Sequence, residues 1–103
     1  MTATFNDQVY SILSQIPAGS VTSYGEIAKL AGYPSHARQV ARVLKNLPKD
    51  TKLPWHRVLN SRHHIALPID SPSGQQQRQR LLDEGAQIVG VRVSFPSSSS
   101  RLS

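Results

Sequence analysis

Ser23-Tyr24-Gly25-Glu26-Ile27-Ala28-Lys29-Leu30-Ala31-Gly32-Tyr33-Pro34-Ser35-His36-Ala37-Arg38-Gln39-Val40-Ala41-Arg42-Val43-Leu44-Lys45 decides the fold. Ser23 is a good N-cap, and Glu26 follows it at the spacing of a capping box. A helix is predicted over residues 24–31, with Ile27, Ala28 and Leu30 as its buried side, and Gly32 suits the position just past its end. Tyr33-Pro34 is a tight connector, after which Ser35 can cap again. The next helix is predicted over residues 36–45, with Val40, Val43 and Leu44 facing inward. Arg38, Arg42 and Lys45 are spaced by four and three residues, so they share the opposite face. Two short helices, a turn with glycine and a basic second helix describe a helix-turn-helix. Spacing alone weighs a solvated basic face and a phosphate-contacting face about equally.

Outward from this unit, Phe5, Val9, Ile12, Leu13 and Ile16 recur at helical spacing and predict a first helix over residues 3–16, ended by Pro17-Ala18-Gly19. Val21 and Thr22 read as a short extended link. Residues 46–54 hold Pro48 and Pro54 and form a loop. Residues 55–59 read as a short helical turn or an extended segment, and Asn60-Ser61-Arg62 turns the chain. Residues 65–69 read as a short strand or an extended loop. Ser71-Pro72 suits an N-cap followed by proline at the first helical position, so a last helix runs to Glu84. Leu81 and Leu82 are its main apolar anchors, and Gly85 ends it. Residues 88–93 alternate weakly, as a short final strand would. The expectation is one domain over residues 1–93 and a disordered Ser-rich tail over residues 94–103. The fold class is α/β, mostly helical, of winged helix-turn-helix type.

Composition narrows the function. The chain has 103 residues, enough for one small core. Twelve Lys+Arg against six Asp+Glu give a net charge of +6 and a pI near 10.3, which favours a polyanionic partner. There is no cysteine, hence no thiolate nucleophile and no thiolate metal site. No apolar run is long enough to span a bilayer and no signal peptide opens the chain, so a cytoplasmic protein is the simplest expectation. His63 and His64 are adjacent and point apart, Asp70, Asp83 and Glu84 lack metal-ligand spacing, and no Gly-rich phosphate loop is present. Neither a metal nor a cofactor is expected. His56 has no cysteine to activate. Trp55, the sole tryptophan, reads as a core anchor or as a flat wall on which a base stacks. Tyr24 reads as a half-buried core aromatic.

Four motifs in order carry a specific resemblance: Ser23-Tyr24-Gly25-Glu26-Ile27-Ala28, Ala37-Arg38-Gln39-Val40, Pro54-Trp55-His56-Arg57-Val58 and Leu81-Leu82-Asp83-Glu84-Gly85. Together they resemble the DNA-binding domain of O6-alkylguanine-DNA alkyltransferases across roughly residues 3–90. Those enzymes carry Pro-Cys-His-Arg at the reactive site. Pro-Trp-His-Arg is similar instead to the alkyltransferase-like proteins, which lack the acceptor cysteine.

The resemblance implies a monomer that binds the minor groove of double-stranded DNA through the helix-turn-helix and flips an O6-alkylguanine into a pocket. It implies no alkyl transfer, so the lesion is flagged for nucleotide excision repair proteins. The position matching Tyr24 turns the phosphate beside the flipped nucleotide. Arg38 matches the arginine that fills the vacated stack, and Ser61 a phosphate contact. Ala37, Arg42 and Lys45 complete the DNA face. Tyr24, Leu44, Trp55, Val58, Ile65, Leu67 and Pro68 are the expected lesion pocket. His56, Arg57 and Glu84 are expected to form a structural network, the remnant of one that activates the enzymes' thiol. The chain departs from the enzymes at Leu47, where their hinge asparagine stands, and at Ala41 and Arg42, where they have glycines. It departs from some alkyltransferase-like proteins at Pro68, where they carry an arginine. Flipping costs a few kcal/mol, less for a base that already pairs badly, and an indole face returns roughly 1–3 kcal/mol of stacking. The main competing reading is a helix-turn-helix regulator that reads sequence in the major groove. An enzyme using His56 and Glu84 and a protein-interaction module are weaker ones.

Overall fold

The computed structural model describes residues 4–96. Its first helix, α1 (Phe5–Ser14), opens on a capping box that joins Thr4 and Asp7. Val9 and Leu13 are fully buried on its inner side, with Phe5, Ile12 and Ile16 packed around them. The helix stops short of residue 16 because the Gln15 and Ile16 N–H groups tighten onto the carbonyls three residues back, at 3.1 and 3.2 Å.

Strand β1 (Thr22–Ser23) leads into α2 (Tyr24–Leu30). Of the expected capping box one half is seen: Ser23 Oγ accepts the Glu26 N–H at 3.1 Å. Ile27 and Ala28 are buried as expected, but Leu30 is 70% exposed. At about 100° per residue, Tyr24, Ile27, Ala28 and Ala31 share one arc, and Leu30 lies about 110° from its centre. Gly32 leaves the helix at φ +91°, a conformation that favours glycine.

Helix α3 (Ala37–Lys45) has His36, not Ser35, at its N-cap, and no side-chain cap bond. Ser35 stands one position too early, its Oγ lying 3.3 Å from His36 Nδ1. The turn is braced by aromatic packing instead. The Tyr33 ring lies 5.4 Å from Phe5, edge to face, and 5.1 Å from His36. Val40 and Val43 are buried and Leu44 is half-buried.

A 3-10 turn, Trp55–Arg57, runs into β2 (Val58–Leu59), which pairs in parallel with β1, Thr22 beside Val58 and Ser23 beside Leu59. Successive strand residues point to opposite faces. Val58 therefore enters a core with Val9, Leu13, Ile27, Ala28, Val40 and Val43, and Leu59 enters another with Ile65, Leu81, Ala86 and Val93. The pairing joins the helix-turn-helix to everything after it.

Helix α4 (Pro72–Asp83) begins as expected, with Ser71 capping and Pro72 first. Leu81 is fully buried, whereas Leu82 is 44% exposed. The inward position one turn before Leu81 belongs to Gln77, 2% exposed, because its amide has two buried carbonyls to satisfy. The expected single last strand is a hairpin, β3 (Gln87–Val89) and β4 (Arg92–Ser94), turning at Gly90 with φ +63°. The free edge of this second strand holds the 63–65 segment, through Ile65 N–H to Val91 O at 2.8 Å and Val93 N–H to His63 O at 3.0 Å. Ordered structure thus passes residue 93, and Phe95 packs on the second core. Residues 97–103 of the expected tail lie outside the described residues.

Gly74 marks a close approach that nothing in the sequence advertised. A Cβ there would collide with the Pro68 carbonyl oxygen and press on Ser71 Oγ. Gly→Ala inside a helix ordinarily gains ~0.5–1 kcal/mol. Gly74→Ala is expected to reverse that sign and cost about 1–3 kcal/mol, because the 65–70 loop must lift from α4. Thermal unfolding measures it.

Candidate nucleic-acid interface

The outer face of α3 carries the exposed Arg38, Arg42 and Lys45, with Ala37 half-buried in its first turn. None of these cations is in either ion pair found among the described residues. Tyr24 opens α2 half-buried against the first core, and that burial pushes its phenol above the usual range, so the hydroxyl stays neutral. Ser61 is exposed at the tip of the 60–64 turn. Asn60 builds that turn: its Oδ1 accepts the N–H groups of Arg62 and His64, both at 2.9 Å. His63 takes the left-handed conformation at φ +61°.

The Pro54–Val58 region is held from α4. Gln77, Arg80, Leu81 and Glu84 fall at helical spacing and so face one way. Gln77 Nε2 donates to His56 O at 3.2 Å and to Val58 O at 3.0 Å. Glu84 Oε2 lies 2.7 Å from His56 Nε2 and 2.7 Å from an Arg57 terminal nitrogen, while Arg57 Nε donates to Oε1 at 3.0 Å. The other Arg57 terminal nitrogen reaches Ile16 O at 2.7 Å, and the Gly19 N–H reaches Oε1 at 3.4 Å. His56, Arg57 and Glu84 are thus one network, and it also fixes the end of α1. The Arg57 guanidinium above all, with His56 and the Gly19 N–H, holds the Glu84 carboxyl down at about 2 despite partial burial.

Trp55 is half-buried above this network. The His56 ring meets it edge-on, 6.3 Å between centroids at 89°, and the Arg80 guanidinium carbon lies 5.7 Å from its centroid. Of the other residues read as pocket lining, Leu44 and Leu67 are half-buried and Pro68 is exposed. Val58 and Ile65 are 1% and 5% exposed, so they belong to the two cores and back the site from behind. A hollow of about 440 Å³ lies elsewhere, lined by Ile12, Ile16, Pro17, Val21 and Leu30. Trp55 does not line that hollow, and part of its indole is open to solvent. Gln77 and Arg80 were missed from sequence because both read as solvent-facing polar residues. Their spacing from Glu84 was the available pointer.

Residues 4–86 match the family model described as the 6-O-methylguanine DNA methyltransferase DNA-binding domain. Alkyltransferase-like protein 1 of Schizosaccharomyces pombe is 46% identical over 84 residues, covering 82% of this chain and 78% of that protein. The chain belongs to the alkyltransferase-like family. A DNA base-flipping protein of Escherichia coli strain K12 is 49% identical over 87 residues, and the match spans 84% of this chain but only 66% of that relative. The crystal structure of S. pombe Atl1 in complex with damaged DNA containing O6-carboxymethylguanine superposes with a TM-score of 0.80, at 41% identity over 89% of this chain and 88% of that one. The small, mostly helical α/β domain is therefore the alkyltransferase-like helix-turn-helix fold. This member of the family holds Trp55 at the head of its Glu84 network and has no cysteine anywhere. Among the described residues no helix is long and apolar enough to cross a membrane.

Proposed function

We propose that this chain binds O6-alkylguanine lesions in duplex DNA from the minor groove, flips the damaged base and holds it without alkyl transfer. The observation that carries the reading is Trp55, a half-buried indole on a turn locked to α4, in a chain without a thiol. Alkyl transfer needs an activated nucleophile that keeps the alkyl group, and a neutral indole is a far weaker one than a thiolate. A stacked base on that wall has no chemical exit, so the complex persists. The protein is a lesion binder rather than an enzyme, acts as a cytoplasmic monomer and hands the site to nucleotide excision repair proteins.

Arg38 fills the stack the base leaves, and Tyr24 turns the adjoining phosphate. Arg42, Lys45, Ala37 and Ser61 set the backbone register. The name of the E. coli relative, a DNA base-flipping protein, and the damaged DNA bound by S. pombe Atl1 support flipping of a lesion; the residue roles rest on the motif resemblance.

Binding of two oligonucleotide duplexes that differ only by O6-methylguanine tests it. The lesion duplex is expected to bind about 5–150-fold tighter, since one stacked base is worth ~1–3 kcal/mol. Equal affinities would sink the reading, and preference for one sequence regardless of the lesion would indicate a regulator. Both affinities should fall steeply with salt, as phosphate contacts require.

A further inference from the structure

We infer that Arg80 is a positioning residue of the lesion site, acting through Trp55: it covers one face of the indole and turns the other into the stacking face for a flipped purine. The inference deepens the proposed function and rests on it. Arg80 lies between Gln77 and Glu84, the two α4 residues that grip the turn carrying Trp55. Its ordinary helical partner would be Glu84, four residues on. Both oxygens of that carboxylate are already taken, Oε1 by Arg57 Nε and the Gly19 N–H, Oε2 by His56 and Arg57. Asp83 is bonded to Gln79 at 2.8 Å. The Arg80 guanidinium is left with the indole, and its central carbon lies 5.7 Å from the ring centroid.

This geometry does two things. The edge contact from His56 and the face contact from Arg80 stop the ring from turning, so its orientation is set before DNA arrives. A cation on one face also draws π density toward itself. The opposite face becomes electron-poor, and the guanine ring, the most electron-rich of the bases, is its best stacking partner. Trp55 is only half-buried, so part of its surface stays open.

A double-mutant cycle tests the inference, with wild type, Arg80→Gln, Trp55→Leu and the double variant titrated with duplexes containing O6-methylguanine or guanine. Glutamine is a good helix former, so α4 is retained. Arg80→Gln is expected to weaken lesion binding by ~3–30-fold, leave undamaged binding and its salt slope alone, and have no further effect once Trp55 is leucine. The emission of Trp55, the sole tryptophan, should shift in the free Arg80→Gln protein, and Arg80→Lys should recover part of both effects. Additive losses in the cycle overturn the role of Arg80. So does an equal loss on both duplexes with a salt slope smaller by about one, which marks a phosphate contact. If Trp55→Leu alone leaves lesion preference intact, the lesion-site reading itself fails.

Discussion

Glu84→Ala is expected to lower the unfolding free energy by about 3 kcal/mol, a large share of the ~5–15 kcal/mol of a small domain. The figure follows from the carboxyl pKa, about 2 in the fold against an ordinary 4.5, at about 1.4 kcal/mol per pKa unit. Glu84 is 16% exposed and Arg57 17%, so water screens the pair only in part. Removing the carboxylate leaves Arg57 and the His56 Nε2 without it and frees the Gly19 backbone, so α1, the Trp55 turn and α4 lose their common fastening. The midpoint of thermal unfolding should fall by about 10–20 °C. Because folding lowers the pKa of Glu84, its contribution is complete above the unfolded-state value and is lost as pH falls from about 5 towards 2. Wild type should therefore destabilise over that window, and Glu84→Ala should show a flatter acid limb. Glu84→Gln keeps the shape without the charge and should fall between them. A variant as stable as wild type at pH 7 would show that the network is incidental.

Arg38→Ala is expected to weaken binding to O6-methylguanine duplex by about 10–100-fold, in the range of a buried arginine anchor. Arg38 is exposed in the first turn of α3, on the face shared with Arg42 and Lys45. In the proposed complex it occupies the hole left in the stack, and a planar guanidinium can do that where a lysine ammonium cannot. Arg38→Lys should therefore fail to restore lesion affinity. Arg42→Ala, by contrast, should weaken both duplexes alike and reduce the salt slope by about one. Loss of lesion preference with Arg38→Ala and its survival with Arg42→Ala would separate the stack filler from the phosphate contact. Identical behaviour of the two variants would show that Arg38 is a phosphate contact only.

Much of the site was legible because it is local or motif-bound. Ser23 and Ser71 cap where their spacing says, and the basic face of α3 is exposed as its spacing requires. Position 35 fails for a reason of one residue: the turn is held by Phe5, Tyr33 and His36 packing, which no local rule reports. Residue type points Leu30 and Leu82 inward, but each lies outside its helix's buried arc. Gln77 was invisible for the opposite reason: its burial is stabilised by two carbonyls nearly twenty residues or more away in the chain, His56 O and Val58 O.

By itself, then, the sequence determined the helix-turn-helix, the basic face of α3 and the exclusion of thiol chemistry. Each follows from short-range spacing or from composition, and none depends on where the rest of the chain goes. Only the tertiary structure decided how Trp55 is held. A lone indole between proline and histidine is a core anchor or a wall, and the difference lies in partners brought from α4. Parallel pairing of β1 with β2 carries the turn to that helix, where Glu84 locks it and Arg80 covers one face. Contacts between residues so far apart in sequence form only when two cores close at once, and that cooperative packing leaves no periodic trace in the chain.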